Sequence, residues 1–221
     1  ELNELILLNL KKDYDLCYLV NPSMPIGHLL FKQNLTNMLE LHPNTIFVVD
    51  EAYIEFSNSE SLSPLIEKFN NLIVIRTFSK FFSLASLRIG YLITNKTIIK
   101  MLKPYYNYKD ITKLSVSCAL ASLKNIEFYD ENKKKYFELK NYIISNLQEI
   151  IKTNKKITDY IMNNGMYFTI ICSNPDELKK YFDSHNIAVR NKDCDIKGAI
   201  RLTINNKEIT EHVFKKLKEY N

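Results

Sequence analysis

The sequence predicts an α/β protein with a parallel or mixed sheet, followed by a small α+β domain. Three observations carry this expectation. Short apolar runs recur in the first half, each bounded by turn formers and separated by helical spacing, which is the pattern of strands alternating with helices. Helical patterns then dominate residues 96–152, with one long stretch at 126–151. After that, strand-like runs and two amphipathic helices complete the chain.

The elements follow in order. Leu16-Cys17-Tyr18-Leu19-Val20 is an apolar run stopped by Asn21-Pro22, a buried strand entering a turn. Residues 28–41 carry Leu29, Leu30, Leu35, Met38, Leu39 and Leu41 at helical spacing. Ile46-Phe47-Val48-Val49 is a second strand, ending at Asp50. Ser63-Pro64-Leu65 fits a helix start, with serine as cap and proline in the first turn. Leu72-Ile73-Val74-Ile75 and Ile89-Gly90-Tyr91-Leu92-Ile93 are the third and fourth strands. Strands separated by helices argue for a sheet covered on both faces. Beyond the long helix, 167–171 reads as a strand, 175–185 as a helix, 187–190 and 199–204 as short strands, and 207–220 as a final amphipathic helix. The expected division is a large domain over residues 1–125 and a connecting helix with a small domain over 126–221.

Composition narrows the functions. Thirty basic and 25 acidic residues leave a net charge of +5, mildly basic and suited to an anionic ligand. The Lys133-Lys134-Lys135 cluster reads as a solvated helix face, so no nucleic-acid partner is expected. Cys17, Cys118, Cys172 and Cys194 lack C-x-x-C spacing, which disfavours metal or disulfide use and suggests a reducing cytoplasm. No apolar run has the length of a membrane span, so no membrane partner is expected. The only glycines are Gly27, Gly90, Gly165 and Gly198, which are far apart and cannot form a glycine-rich phosphate loop.

The chemistry concentrates in two runs. Asp50-Glu51-Ala52-Tyr53 follows the second strand, and Arg76-Thr77-Phe78-Ser79-Lys80 follows the third. In an open α/β sheet ligands bind beyond the carboxyl ends of the strands, where the Asn21-Pro22 turn also falls. An amine with two hydroxyls and, at Arg88, a guanidinium nearby suits an aldehyde cofactor carrying a phosphate.

These segments resemble a known family. Asp50-Glu51-Ala52-Tyr53-Ile54-Glu55-Phe56, Arg76-Thr77-Phe78-Ser79-Lys80 and Leu87-Arg88-Ile89-Gly90-Tyr91 resemble the signature of fold type I, class I/II pyridoxal-phosphate enzymes. The match is nearest to the branch of histidinol-phosphate aminotransferase and threonine-phosphate decarboxylase. Asn21-Pro22-Ser23-Met24-Pro25-Ile26-Gly27 is similar to the family's N-P-N-N-P-T-G, and Ile187-Ala188-Val189-Arg190 and Ile200-Arg201-Leu202-Thr203-Ile204 to its two C-terminal arginine motifs. The resemblance implies a three-layer αβα large domain, incomplete here, plus a small α+β domain.

It also implies roles. Lys80 would hold pyridoxal 5'-phosphate and then move the proton at the substrate's α-carbon. Asp50 would keep the ring nitrogen protonated, and Tyr53 would hydrogen-bond the 3' oxygen. Thr77, Ser79 and Arg88 would bind the cofactor phosphate. Arg201 would grip the substrate's carboxylate or phosphate, with Arg190 assisting. A small-molecule amino donor, a 2-oxo acid acceptor and a homodimer are the implied partners.

Besides Ser83 and Ser86, which replace small residues around the family's lysine, the sequence departs from the family at three places. Met24 replaces an asparagine that contacts the 3' oxygen, and Met166 replaces one that orients the substrate carboxylate. The family's chain carries roughly another third before Glu1. The leading expectation is an aminotransferase acting on a small phosphorylated or acidic amino acid or amine. The alternatives are a phosphoserine- or phosphothreonine-type decarboxylase on the same scaffold, and a truncated, catalytically incomplete member.

Overall fold

A computed structural model describes residue 10 and residues 12–107, 111–162, 164–193 and 195–220; Cys194 lies outside the described residues. The chain divides into two compact units, Glu1–Asp130 and Glu131–Asn221. No described helix is long and apolar enough to cross a membrane.

The first unit is built on a four-stranded sheet in the order β1-β2-β3-β4. Its strands are β1 (Leu16–Val20), β2 (Ile46–Asp50), β3 (Leu72–Thr77) and β4 (Gly90–Ile93). β1, β2 and β3 are parallel, and β4 runs antiparallel to β3. Alternation assigns the faces. Cys17, Leu19, Phe47, Val49, Leu72 and Val74 point to one face and pack on Leu35, Met38 and Leu39 of helix α1 (Lys32–Leu41) and on Leu62 and Leu65. On the other face Val48 and Ile73 pack on Ile98 of helix α2 (Lys96–Leu102). Cover of that face is partial, because Leu16 and Tyr18 at the β1 edge are 54% and 52% exposed. Helix α3 (Lys113–Lys124) begins at a Thr112 cap, whose hydroxyl accepts from Ser115 N–H at 3.0 Å. The long helix α4 (Ile126–Thr153) follows.

Two local differences from the sequence expectation have clear causes. The helix expected over 28–41 begins only at Lys32. Asn21 Oδ1 accepts from Leu30 N–H at 2.8 Å, and His28 O accepts from Ser23 N–H at 2.8 Å. These bonds hold residues 28–30 in the turn after β1 while Leu30 is still buried, so its apolar spacing mimics a helix. The segment at Ser63 is one 3-10 stretch, Ser63–Glu67, and Ser63 is no cap. Its N–H instead donates to Ser61 Oγ at 3.1 Å.

The second unit is an antiparallel sheet in the order β5-β6-β8-β7, with β5 (Ile157–Ile161), β6 (Tyr167–Cys172), β7 (Arg190–Asn191) and β8 (Ala199–Thr203). Phe168, Ile170, Cys172, Ile200 and Leu202 form one core with Ile143, Leu147 and Ile150 of α4. Leu178 and Phe182 of α5 (Pro175–Ser184) and Val213, Phe214 and Leu217 of α6 (Lys207–Glu219) complete it. Strand β5 escapes the sequence reading. It is an edge strand with an irregularity between Ile157 and Asp159, and only Ile157 in its first half is buried.

Gly198 occupies the left-handed region at φ +76°, and a Cβ there would lie 2.5 Å from Cys172 O. Gly198→Ala therefore combines a disfavoured φ with a backbone collision between β6 and the turn into β8. The expected loss is about 3 kcal/mol of stability, measured by urea unfolding.

Candidate active site

The carboxyl ends of the three parallel strands lie level. Val20 pairs with Asp50, and Asp50 with Ile75. The ladder continues past the strands: Asn21 N–H donates to Asp50 O and Glu51 N–H to Ile75 O, each at 2.8 Å. This sets the Asn21-Pro22 turn, Asp50 and the segment after Thr77 along one edge, as the sequence anticipates.

Asp50 is held on both oxygens. Oδ1 accepts from Ala52 N–H at 3.0 Å, and Oδ2 accepts from the Tyr18 hydroxyl at 2.5 Å. Burial, with the Asp50 carboxylate beside it, pushes the Tyr18 phenol up to about 12. The phenol therefore stays a donor across the neutral range.

Lys80 follows β3 in a loop fixed by hydrogen bonds and aromatic packing. Phe78 N–H donates to Ile89 O, Leu84 N–H to Phe78 O and Ser83 N–H to Lys80 O. Phe78 and Phe82 are buried with ring centroids 5.0 Å apart, and Phe82 lies 4.9 Å from Tyr129 at the start of α4. On the other side Phe81 meets Phe56 edge-on at 5.9 Å. The Lys80 ammonium stands 5.4 Å from the centre of the Tyr53 ring. Among the described residues it makes no ion pair, so its amine is not committed to a carboxylate.

Thr77, Ser79 and Arg88 line one cavity of about 640 Å³, with Gly90 and Tyr91 in its wall. Thr77 Oγ1 accepts from Ser79 N–H at 3.0 Å, which leaves the threonine proton to donate elsewhere. Arg88 has φ +48° and donates to Ala85 O at 3.0 Å; it makes no ion pair among the described residues. Gly90 is required at the β3–β4 pairing, because a Cβ there would meet Arg76 O at 2.8 Å. Tyr53 and Lys80 are thus joined by one contact, and Thr77, Ser79 and Arg88 by one cavity wall.

In the second unit Arg190 and Arg201 are direct cross-strand partners, and Arg201 is in register with Thr169. The Arg201 guanidinium lies 4.5 Å from the centre of the Tyr167 ring. Neither arginine has a carboxylate partner among the described residues.

Sequence reasoning gave no role to a buried ion-pair group behind the strand ends. Glu51 is fully buried; its Oε1 accepts from Leu62 N–H at 2.7 Å and its Oε2 from the Ser61 hydroxyl at 2.6 Å. Arg76 donates to Glu55 at 2.5 Å and stands 3.9 Å from Glu51. Burial pushes the Glu51 carboxyl up against its hydrogen bonds; for Arg76 burial lowers the guanidinium, but Glu55, Tyr91 and Glu51 together raise it. The signal in sequence was Glu51 and Glu55 flanking Tyr53, but the partner sits on another strand.

The donor set matches a phosphorylated pyridine aldehyde in its chemistry: an uncommitted amine, a carboxylate at a strand end, and hydroxyls with a guanidinium for a dianion. The family described as aminotransferase class I and II matches residues 6–217. A histidinol-phosphate aminotransferase of Buchnera aphidicola subsp. Diuraphis noxia is 33% identical over 208 residues, covering 91% of this chain and 56% of the relative. The solved histidinol-phosphate aminotransferase of Clostridium acetobutylicum is similar with a TM-score of 0.83 at 23% identity, over 93% of this chain and 63% of that one. The L-threonine-O-3-phosphate decarboxylase of Porphyromonas gingivalis has a TM-score of 0.79 at 22% identity, over 93% and 64%. At these identities the two structures show the fold. The chain spans little more than half the length of the curated relative.

Arg76 neutralises two poorly exposed carboxylates, so Arg76→Met is expected to cost about 3–5 kcal/mol of stability. Adding Glu51→Gln, which removes one buried charge but keeps an acceptor for Leu62 N–H, recovers part of that loss. Denaturant unfolding of both variants without cofactor checks this.

Proposed function

The chain belongs to the class I and II aminotransferases, and we propose that it forms part of a pyridoxal-phosphate-dependent aminotransferase acting on a small phosphorylated or acidic amino acid or amine. The observation that carries the reading is Lys80: an amine without an ion pair among the described residues, clamped beside Tyr53 in the loop after β3. Bound pyridoxal phosphate supplies an electron sink for the pair left when a bond to the substrate's α-carbon breaks. In this reading Lys80 would hold the cofactor by its aldehyde carbon, and its amine, once free, would take and return the proton at the substrate's α-carbon. Asp50 holds a proton on the ring nitrogen, which makes the ring a better sink. Tyr53 donates to the ring's 3' oxygen, and Thr77, Ser79 and Arg88 hold the phosphate ester. Arg201 binds the substrate's carboxylate or phosphate, with Arg190 assisting. The resemblance supports extending this to a homodimer that uses a 2-oxo acid as acceptor, and the cysteine pattern supports a cytoplasmic location.

A decarboxylase is the second reading, favoured by Met166 standing where the branch has a carboxylate-orienting asparagine. Both predict that full-length protein mixed with pyridoxal phosphate shows the visible absorption of a lysine-bound cofactor, and that Lys80→Ala abolishes it. No such band in the unsubstituted protein overturns both. Phosphoserine then separates them: dependence on 2-oxoglutarate supports the transaminase, and carbon dioxide release without an acceptor supports the decarboxylase.

Arg201→Ala is expected to weaken substrate binding by about 2–4 kcal/mol, the cost of removing a bidentate partner of an anion. Cofactor affinity changes far less. Equal losses in separate titrations of substrate and cofactor contradict the assignment.

A further inference from the structure

Tyr18 lies outside every sequence motif, yet it makes a 2.5 Å hydrogen bond to the carboxylate on which the proposed chemistry turns. We infer that Tyr18 is a positioning residue, whose phenol fixes the Asp50 carboxylate in the orientation that meets the ring nitrogen of the bound cofactor. The inference rests on the aminotransferase reading given above.

The register explains the contact. Tyr18 pairs with Val48 and Val20 with Asp50, so Tyr18 and Asp50 are diagonal neighbours on the same face of the β1–β2 pair. A phenol can span that diagonal, whereas a shorter side chain would stop short of the carboxylate. The helical cover of this face leaves Tyr18 open, so the site side of the ring is not packed into the core.

Two donors then act on one carboxylate. Ala52 N–H holds Oδ1 and the Tyr18 hydroxyl holds Oδ2. Rotation about Cβ–Cγ would break both bonds, so the carboxylate plane is set before any ligand arrives. Each oxygen retains a lone pair, and one suffices for a ring N–H. Without the phenol only the Ala52 contact remains, and the carboxylate must be ordered when the ring binds. The raised phenol supports the arrangement, because a phenolate beside Asp50 would repel it.

The test uses two ligands that differ at one atom: pyridoxal phosphate and its deaza analogue, with carbon in place of the ring nitrogen. Losing a hydrogen bond to a charged group predicts that Tyr18→Phe weakens pyridoxal phosphate about tenfold. The deaza analogue, which makes no contact of this kind with Asp50, binds within about twofold of wild type. Equal weakening of both ligands shows a general structural effect and overturns the inference, as does no weakening or tighter binding of pyridoxal phosphate. In an Asp50→Asn background Tyr18→Phe is expected to have no further effect on either ligand, and an undiminished effect there also overturns it. If Tyr18→Phe fails to fold by circular dichroism, Tyr18→3-fluorotyrosine keeps the shape while changing the donor. It must alter the affinity for pyridoxal phosphate alone, and equal or no change overturns the inference. Failure of the unsubstituted protein to bind pyridoxal phosphate is a different result, which removes the functional reading itself.

Discussion

The level ending of three parallel strands is the constraint on which the first unit depends. The pairings Val20 with Asp50 and Asp50 with Ile75 are extended by Asn21 N–H to Asp50 O and Glu51 N–H to Ile75 O. A one-residue slip of β2 would turn Asp50 to the face packed by α1 and bring Phe47 and Val49 out of the core. Burial of Phe47, Val49, Leu72 and Val74 therefore fixes the direction of Asp50 as well as the fold. The same register brings Tyr18 within reach of Asp50.

Beyond the end of β3 the chain turns sharply without glycine. Ser83 and Arg88 have φ of +57° and +48°, which cost a non-glycine residue about 1–2 kcal/mol each. Neighbouring contacts offset that cost. The turn at Ser83 is closed by its N–H to Lys80 O, and Phe78, Phe82 and Tyr129 pack around the loop. Arg88 spends one N–H on Ala85 O and lines the same cavity as Thr77 and Ser79. Strained backbone held by surrounding packing is what a preorganised site requires, because the ligand then meets groups already in place.

Much of this was legible from residues alone, and the failures are instructive. Apolar runs at Leu16, Ile46 and Leu72 marked the strands because each is buried wholly or in part, and their ends located Asp50 and Thr77. Leu30 misled the reading of α1, since its burial comes from a turn held by Asn21 and not from a helix. β5 was invisible because an edge strand with polar Thr158 and Asp159 has no apolar run to announce it. The Tyr18–Asp50 and Arg76–Glu55 contacts span 32 and 21 residues. Neither follows from any local pattern; both need the strand register first.

The use of arginine separates structure from function most sharply. Only Arg76, Arg88, Arg190 and Arg201 are arginine among 30 basic residues, so lysine supplies the ordinary surface charge. Arg76 is consumed by Glu55 and Glu51. The other three make no ion pair among the described residues. Arg190 and Arg201 are held side by side across β7 and β8, an arrangement that like charges oppose and that an anion relieves. Tyr167 supports Arg201 from one face without neutralising it, since a ring offers a quadrupole and no charge. A planar guanidinium is the group best matched to carboxylates and phosphates. In a chain that otherwise relies on lysine, three arginines without an ion pair among the described residues fit the anion-binding roles proposed for them.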